Sequence, residues 1–109
     1  MSIEMRSLAD VDLLIHEPSR LLILATLASV ENADFLFLSR ETGLTRGNLS
    51  VHLSKLEKAG YVHIMKTYRG KIPLTVCHLT DEGRVAFMEY RRKLISFVDR
   101  TTPTSDLSG

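Results

Sequence analysis

The chain has 109 residues, of which 44% are hydrophobic and 25% charged, and its formal net charge is +1. This length and composition predict one globular domain with a single core, and the lone cysteine, Cys77, excludes an intramolecular disulfide. The longest apolar run, Leu21 to Leu27, is too short to span a membrane, and the acidic N-terminus lacks the basic region of a signal peptide, so we predict a cytoplasmic protein with no membrane partner.

The first third of the chain is predicted to be mostly helical. Apolar residues at helical spacing predict a first helix from Leu8 to His16. Pro18 ends that helix and begins the next, which runs to about Val30 and is apolar around most of its circumference, as expected of a central core helix. Residues 34–37 are predicted to be extended, and residues 40–42 to form a short helix capped by Ser39.

The segment from about Thr45 to Ala59 is predicted to be a helix with one narrow apolar seam. Leu49, Leu53 and Leu56 fall at i, i+4 and i+7 and share one face, and Thr45 is a suitable N-cap. The opposite face carries small, hydrogen-bonding or basic side chains, which suit insertion into a DNA major groove: Gly47, Asn48, Val51, Ser54, Lys55 and Lys58. Together with the short preceding helix, this pattern predicts a helix-turn-helix.

A β-hairpin is predicted to follow over about residues 61–79, with the basic turn Arg69-Gly70-Lys71 at its tip. A hairpin in this position is a wing. From Arg40 to Lys71 there are seven basic and two acidic residues, a local charge of +5, whereas the rest of the chain carries −4. This uneven distribution indicates a surface that faces a polyanion, and we predict double-stranded DNA as the partner.

Thr80 is predicted to cap a last helix that reaches to about Asp99, followed by a disordered tail over residues 100–109. Aromatic and leucine residues repeat along this helix at 3-4-3 spacing, which is typical of a coiled-coil seam. A small domain should not leave so much apolar surface exposed to water. We therefore predict a homodimer in which this seam packs against the first helix of the partner subunit. The predicted dimer interface consists of Leu8, Val11, Ile15, Phe87, Tyr90, Leu94 and Phe97.

Each predicted DNA contact has a structural alternative. Arg46 suits a bidentate contact with guanine or a phosphate pair, and Asn48 suits adenine readout or backbone capping. Gly47 costs about 1 kcal/mol of helix stability relative to alanine, which a close approach to DNA explains. His52 is left open between DNA contact and packing on the core helix. The full set of predicted contacts is Thr45, Arg46, Gly47, Asn48, Ser50, Val51, Ser54, Lys55, Arg69 and Lys71.

No catalytic triad, paired-carboxylate cleft, P-loop or dinucleotide fingerprint is visible, so we predict that the protein is not an enzyme and has no cofactor. His63, Cys77 and His78 lie close together on the predicted wing. Because Cys77 and His78 are adjacent in a strand, they point to opposite faces of the sheet. We therefore predict no metal site, since a closed zinc site needs four converging ligands.

Four motifs in order carry a family resemblance: residues 44–53, 56–62, 69–75 and 79–84. Together they resemble the small winged-helix transcriptional regulators related to the multiple-antibiotic-resistance and arsenical-resistance repressor families. The resemblance spans roughly residues 10 to 98. It implies a mainly α fold with a small β-hairpin: a winged-helix DNA-binding domain over residues 1–99, with an added C-terminal dimerisation helix.

The resemblance also implies a homodimer that reads a roughly palindromic operator. Whether occupancy represses or activates transcription is left open, as is an unidentified small-molecule effector. Two alternatives belong to other classes. One is a winged helix that binds another protein, and the other is a sensor that binds a metal or small molecule in the dimer cleft.

Overall fold

The computed structural model describes residues 10–103. In this part of the chain four α-helices and three β-strands follow one another: α1 (Pro18–Ala28), β1 (Ala33–Asp34), α2 (Phe35–Thr42), α3 (Arg46–Lys58), β2 (Val62–Arg69), β3 (Ile72–Leu79) and α4 (Asp81–Thr101). The helices α2 and α3 form the helix-turn-helix, β2 and β3 form the wing, and α4 is the added C-terminal helix. The predicted fold class is therefore confirmed. Helix α4 extends to Thr101, slightly past the predicted start of the tail, and residues 104–109 lie outside the described residues.

The hydrophobic core lies between α1, α3 and the inner face of the sheet. Helix α1 contributes three fully buried side chains, Ile23, Leu24 and Leu27. They pack in one cluster with the leucine seam of α3 and with the base of the wing. Burying a leucine or isoleucine side chain contributes roughly 1.5–3 kcal/mol, so this cluster determines how α3 is rotated about its own axis. The cluster that contains these α1 residues also includes Leu49, Leu53, Leu56, Val62 and Cys77.

The helix predicted over residues 8–16 is wrong from residue 11 onward, where the chain forms consecutive turns. The Asp12 side-chain carboxylate accepts the backbone N–H of Leu14, two residues further on, at 2.9 Å. An aspartate that bonds nearby backbone in this way competes with helix formation. Glu17 is extended and caps α1, because its carboxylate accepts N–H groups from the first turn of that helix.

Helix α2 begins at Phe35, five residues before the predicted short helix, because Asp34 and not Ser39 is its N-cap. The Asp34 backbone is extended, and its carboxylate accepts the N–H of Phe37 at 2.8 Å. The helix ends at Gly43, whose φ of +72° lies in the left-handed region that favours glycine. The four apolar residues at 35–38 have no clear period, so the pattern alone does not separate an extended segment from a helix start.

The wing belongs to a three-stranded antiparallel sheet in the order β1-β3-β2. The short strand β1 is an addition to the predicted hairpin, and it pairs Ala33 with Cys77 and Asp34 with Val76. The β2–β3 ladder closes at Arg69 and Ile72, which leaves a two-residue turn whose first member, Gly70, has a φ of +62°. A glycine at this place is typical of a type II′ hairpin. Strand β1 thus fixes the start of α2 beside the wing.

Candidate nucleic-acid interface

Helix α3 has one buried face and one open face. Its leucine seam is 0–2% exposed, and the Thr45 hydroxyl caps the helix by accepting the N–H of Asn48 at 3.2 Å. The cap satisfies one of the N–H groups left unpaired at a helix start. The buried seam therefore holds α3 in one orientation and points its opposite face to solvent.

The predicted DNA contacts on α3 are almost all found on its open face. Val51 lies on this face and is 54% exposed. Ser54 is the exception, because it is half-buried at the edge of the seam. The other predicted contacts at this helix are exposed: Thr45, Arg46, Gly47, Asn48, Ser50 and Lys55.

A groove of about 560 Å³ separates the first turn of α3 from the wing. Its lining combines acidic, basic, hydroxyl-bearing and apolar side chains from β1, α2, α3, β2 and β3. The Cζ atom of Arg46 lies 5.7 Å from the centroid of the Phe35 ring, within the range of a cation–π contact. Sequence reasoning missed Phe35, because it lies eleven positions before Arg46 and the sequence predicts a later start for α2. The lining includes Phe35, Leu36, Arg46, Gly47, Ser50, Arg69, Pro73 and Thr75.

The two predicted wing contacts differ in their surroundings. Arg69 is exposed, but its Nη2 atom lies 3.8 Å from an Asp34 carboxylate oxygen, so it is directed toward β1. Lys71 lies in the hairpin turn and is exposed. Lys66, also exposed, adds a basic side chain on β2 that was not among the predicted contacts. An exposed ion pair of this length contributes at most about 1 kcal/mol, so the Asp34 contact leaves Arg69 able to turn to another anion.

His52 lies on the side of α3 that packs on α1. Its side chain is 18% exposed, and Arg20 Nη1 donates to its Nδ1 atom at 3.2 Å. A carboxylate oxygen of Glu17 lies 3.8 Å from the same nitrogen. Burial raises the pKa of Glu17, but hydrogen bonds from the N–H groups of Arg20 and Ser19, with the nearby His52 and Arg20 side chains, outweigh it and lower this pKa. The structure therefore favours the packing interpretation of His52.

The wing residues with metal-binding chemistry do not converge. His63 and His78 face each other across β2 and β3, with ring centroids 5.0 Å apart. Cys77 points into the core, and burial, with the Glu57 charge, raises the pKa of its thiol to about 11. Over residues 10–103, no group of three or more His, Cys, Asp or Glu side chains is placed to hold a metal ion.

The predicted dimer residues differ in how far the single chain buries them. Val11, Ile15, Phe87 and Tyr90 are buried within the single chain, and the Tyr90 hydroxyl lies 2.8 Å from His16 Nδ1. A partner subunit is thus not needed to cover these four side chains. Leu94 and Phe97 are half-buried, and Leu8 lies outside the described residues. The large apolar side chains that α4 leaves exposed are instead Val85, Met88, Ile95 and Val98.

Comparison with known proteins identifies the family. The winged helix DNA-binding domain family matches residues 19–98. The chain is 42% identical over 72 residues to the uncharacterized protein MJ0432 of Methanocaldococcus jannaschii, and the match covers 65% of this chain and 77% of that protein. It is also similar to the solved transcriptional regulator homologue of Pyrococcus horikoshii OT3, with a TM-score of 0.84 and 26% identity over 94% of this chain and 100% of that chain.

The fold is also similar to that of the transcriptional repressor CouR bound to a 23-mer DNA duplex. The TM-score is 0.70 at 21% identity, and the match covers 89% of this chain and 66% of that one. The chain belongs to the winged helix DNA-binding domain family, which is a family of DNA-binding regulators and not of enzymes. The predicted resemblance to winged-helix regulators is confirmed. No helix within residues 10–103 has the length and apolar character that a membrane span requires.

Proposed function

We propose that the protein binds specific double-stranded DNA sites as a homodimer. In each protomer α3 enters the major groove, and the wing contacts the flanking backbone or minor groove. Two copies related by a twofold axis then read the two halves of a roughly palindromic operator. Occupancy of that operator regulates transcription of the adjacent genes.

The observation that carries this proposal is the exposed first half of α3. Its outward residues combine a guanidinium, an amide, a hydroxyl and an apolar methyl surface within two helical turns: Arg46, Asn48, Ser50 and Val51. These groups match the guanine edge, the adenine edge and the thymine methyl group of the major groove. The buried leucine seam behind them limits rotation of the helix, so their pattern is presented in one orientation.

The basic side chains supply sequence-independent affinity. The exposed Lys55, Lys66 and Lys71 lie on α3, on β2 and in the wing turn, within the part of the chain that carries +5. Each lysine or arginine that neutralises a phosphate releases counterions, so binding should weaken steeply as salt concentration rises. A winged helix that only bound another protein would not need this concentration of charge.

The dimer surface that we propose is the exposed apolar stripe of α4. Met88, Ile95 and Val98 are 52%, 51% and 50% exposed. Their spacing of seven and three residues puts them on one face of the helix, as in a helix–helix interface. This stripe lies beside the buried Phe87, and half-buried Leu94 borders it.

Selection of bound sequences from a random duplex library tests the proposal. We expect a single motif with two half-sites. On the selected duplex, Arg46→Ala should weaken binding by about 1–3 kcal/mol if Arg46 contacts a base, and should weaken binding to random duplex much less. Lys93→Ala, which removes a lysine that donates to the Asp10 carbonyl on the other side of α4, is the control and should leave affinity unchanged. No binding to any duplex at low salt would contradict the proposal.

A further inference from the structure

The ring of Phe35 lies between the hydrophobic core and the guanidinium of Arg46. Phe35 is the first residue of α2 and follows directly on the Asp34 cap. It is half-buried and packs against the core cluster, which limits its movement. The Arg46 guanidinium carbon lies 5.7 Å from the ring centroid. A ring held by the core is therefore a fixed support for an exposed, flexible arginine.

The Phe35 ring is the main group that restricts the position of the Arg46 guanidinium. Within residues 10–103, no carboxylate pairs with Arg46 and no hydrogen bond holds its guanidinium. The nearby Asp34 carboxylate pairs with Arg69 instead, at 3.8 Å. Two consecutive residues, Asp34 and Phe35, thus each contact one arginine beside the groove between α3 and the wing.

We propose that Phe35 is a positioning residue for DNA readout, because its ring orders the Arg46 guanidinium before DNA binds. A guanidinium against an aromatic ring keeps its N–H groups available for a base edge or a phosphate. Ordering the side chain in advance lowers the entropy lost on binding. The inference rests on the proposed function, since it assumes that Arg46 contacts DNA.

A double-mutant cycle on the duplex selected from the random library tests the inference. Phe35→Leu keeps an apolar side chain and removes the ring, and it should weaken binding about two- to fivefold, as expected for one exposed cation–π contact. In an Arg46→Ala background the same change should have no effect. Phe35→Tyr keeps the ring and should restore wild-type affinity. Phe37→Leu, which removes a half-buried aromatic ring elsewhere on α2, is the matched control and should not be coupled to Arg46.

The outcomes separate the two proposals. If Arg46→Ala leaves binding to the selected duplex unchanged, the DNA contact in the proposed function fails. If Arg46→Ala weakens binding but Phe35→Leu is equally costly with and without Arg46, the positioning role of Phe35 is overturned. A Phe35→Tyr variant as weak as Phe35→Leu also overturns it. Thermal melts identify a variant that does not fold, and Phe35→Met then replaces Phe35→Leu in the same cycle.

Discussion

A Cβ atom added to Gly83 would lie 2.1 Å from the carbonyl oxygen of Tyr61. That carbonyl accepts the N–H of Thr80 at 3.0 Å, and the Thr80 hydroxyl accepts the N–H of Gly83 at 2.9 Å. The same hydroxyl donates to the carbonyl of Gly60 at 2.6 Å. Helix α4 therefore starts in direct backbone contact with the chain that enters the wing. This backbone contact connects the wing to the helix that we propose forms the dimer.

Gly83→Ala should strongly destabilise the protein. The added methyl group meets backbone atoms of Tyr61, which cannot move aside as a flexible side chain can. We expect the free energy of unfolding to fall by about 3 kcal/mol, the upper end of the usual cost of overpacking. Urea denaturation followed by circular dichroism measures the change. A variant as stable as the wild type would show that the backbone of Tyr61 can move away from residue 83 at little cost in free energy.

Gly47→Ala should separate fold stability from DNA affinity. Gly47 lies in the first turn of α3, and apart from its chain neighbours and the adjacent helix backbone, a Cβ atom there would meet no atom within 4 Å. We expect the free energy of unfolding to rise by roughly 0.5–1 kcal/mol, because alanine favours helix over glycine. If the backbone approaches DNA closely at this point, the methyl group should weaken binding by about 1–3 kcal/mol. Unchanged affinity for the selected duplex would contradict the close approach.

The hydroxyl of Tyr61 should make stability depend on pH in the alkaline range. It donates to the Asp12 carboxylate, and this hydrogen bond, with burial and the nearby Asp12 and Glu82 charges, raises the pKa of Tyr61 from 10.0 to about 12. In the unfolded chain Tyr61 loses its proton near pH 10.0, whereas in the folded protein it keeps the proton up to about pH 12. The contribution of this group to the free energy of unfolding is therefore fully present below pH 10.0 and is lost as the pH rises toward about 12.

Tyr61→Phe removes that proton and should make the free energy of unfolding fall less steeply across this window. Urea denaturation of both proteins at several pH values between 10.0 and about 12 measures the difference. Cys77, whose pKa is also raised, is present in both proteins, so its contribution cancels. Parallel curves for the two proteins would contradict the contact between Tyr61 and Asp12.

Ile95→Glu should convert the proposed homodimer into monomers. Ile95 is 51% exposed in the single chain, so the fold should tolerate the change, whereas an unpaired carboxylate buried in an apolar interface is strongly unfavourable. Leu22→Glu on α1, where the leucine is 47% exposed, is the matched control and should remain dimeric. Sedimentation equilibrium measures the molecular mass of the wild type and of both variants in solution. A monomeric wild type, or a dimer unaffected by Ile95→Glu, would rule out this interface.

Short-range sequence patterns predicted the main elements of the candidate nucleic-acid interface. The seam of α3 follows from leucines at helical spacing, its start from the capping Thr45, and the wing from alternating strands joined at Gly70. Each signal involves residues a few positions apart, so backbone geometry alone relates them. The helix predicted over residues 8–16 is wrong from residue 11 onward, where the Asp12 carboxylate accepts the backbone N–H of Leu14 and so competes with helix formation.

The sequence by itself determined that α3 has an open face and which side chains that face carries, since periodicity and charge are properties of neighbouring residues. Only the tertiary structure decided what lies behind those side chains. It placed the Phe35 ring against Arg46 and the Asp34 carboxylate beside Arg69, and it buried Tyr90 within the single chain. These contacts join residues that are distant along the chain, and they form only when packing of the shared core brings their elements together.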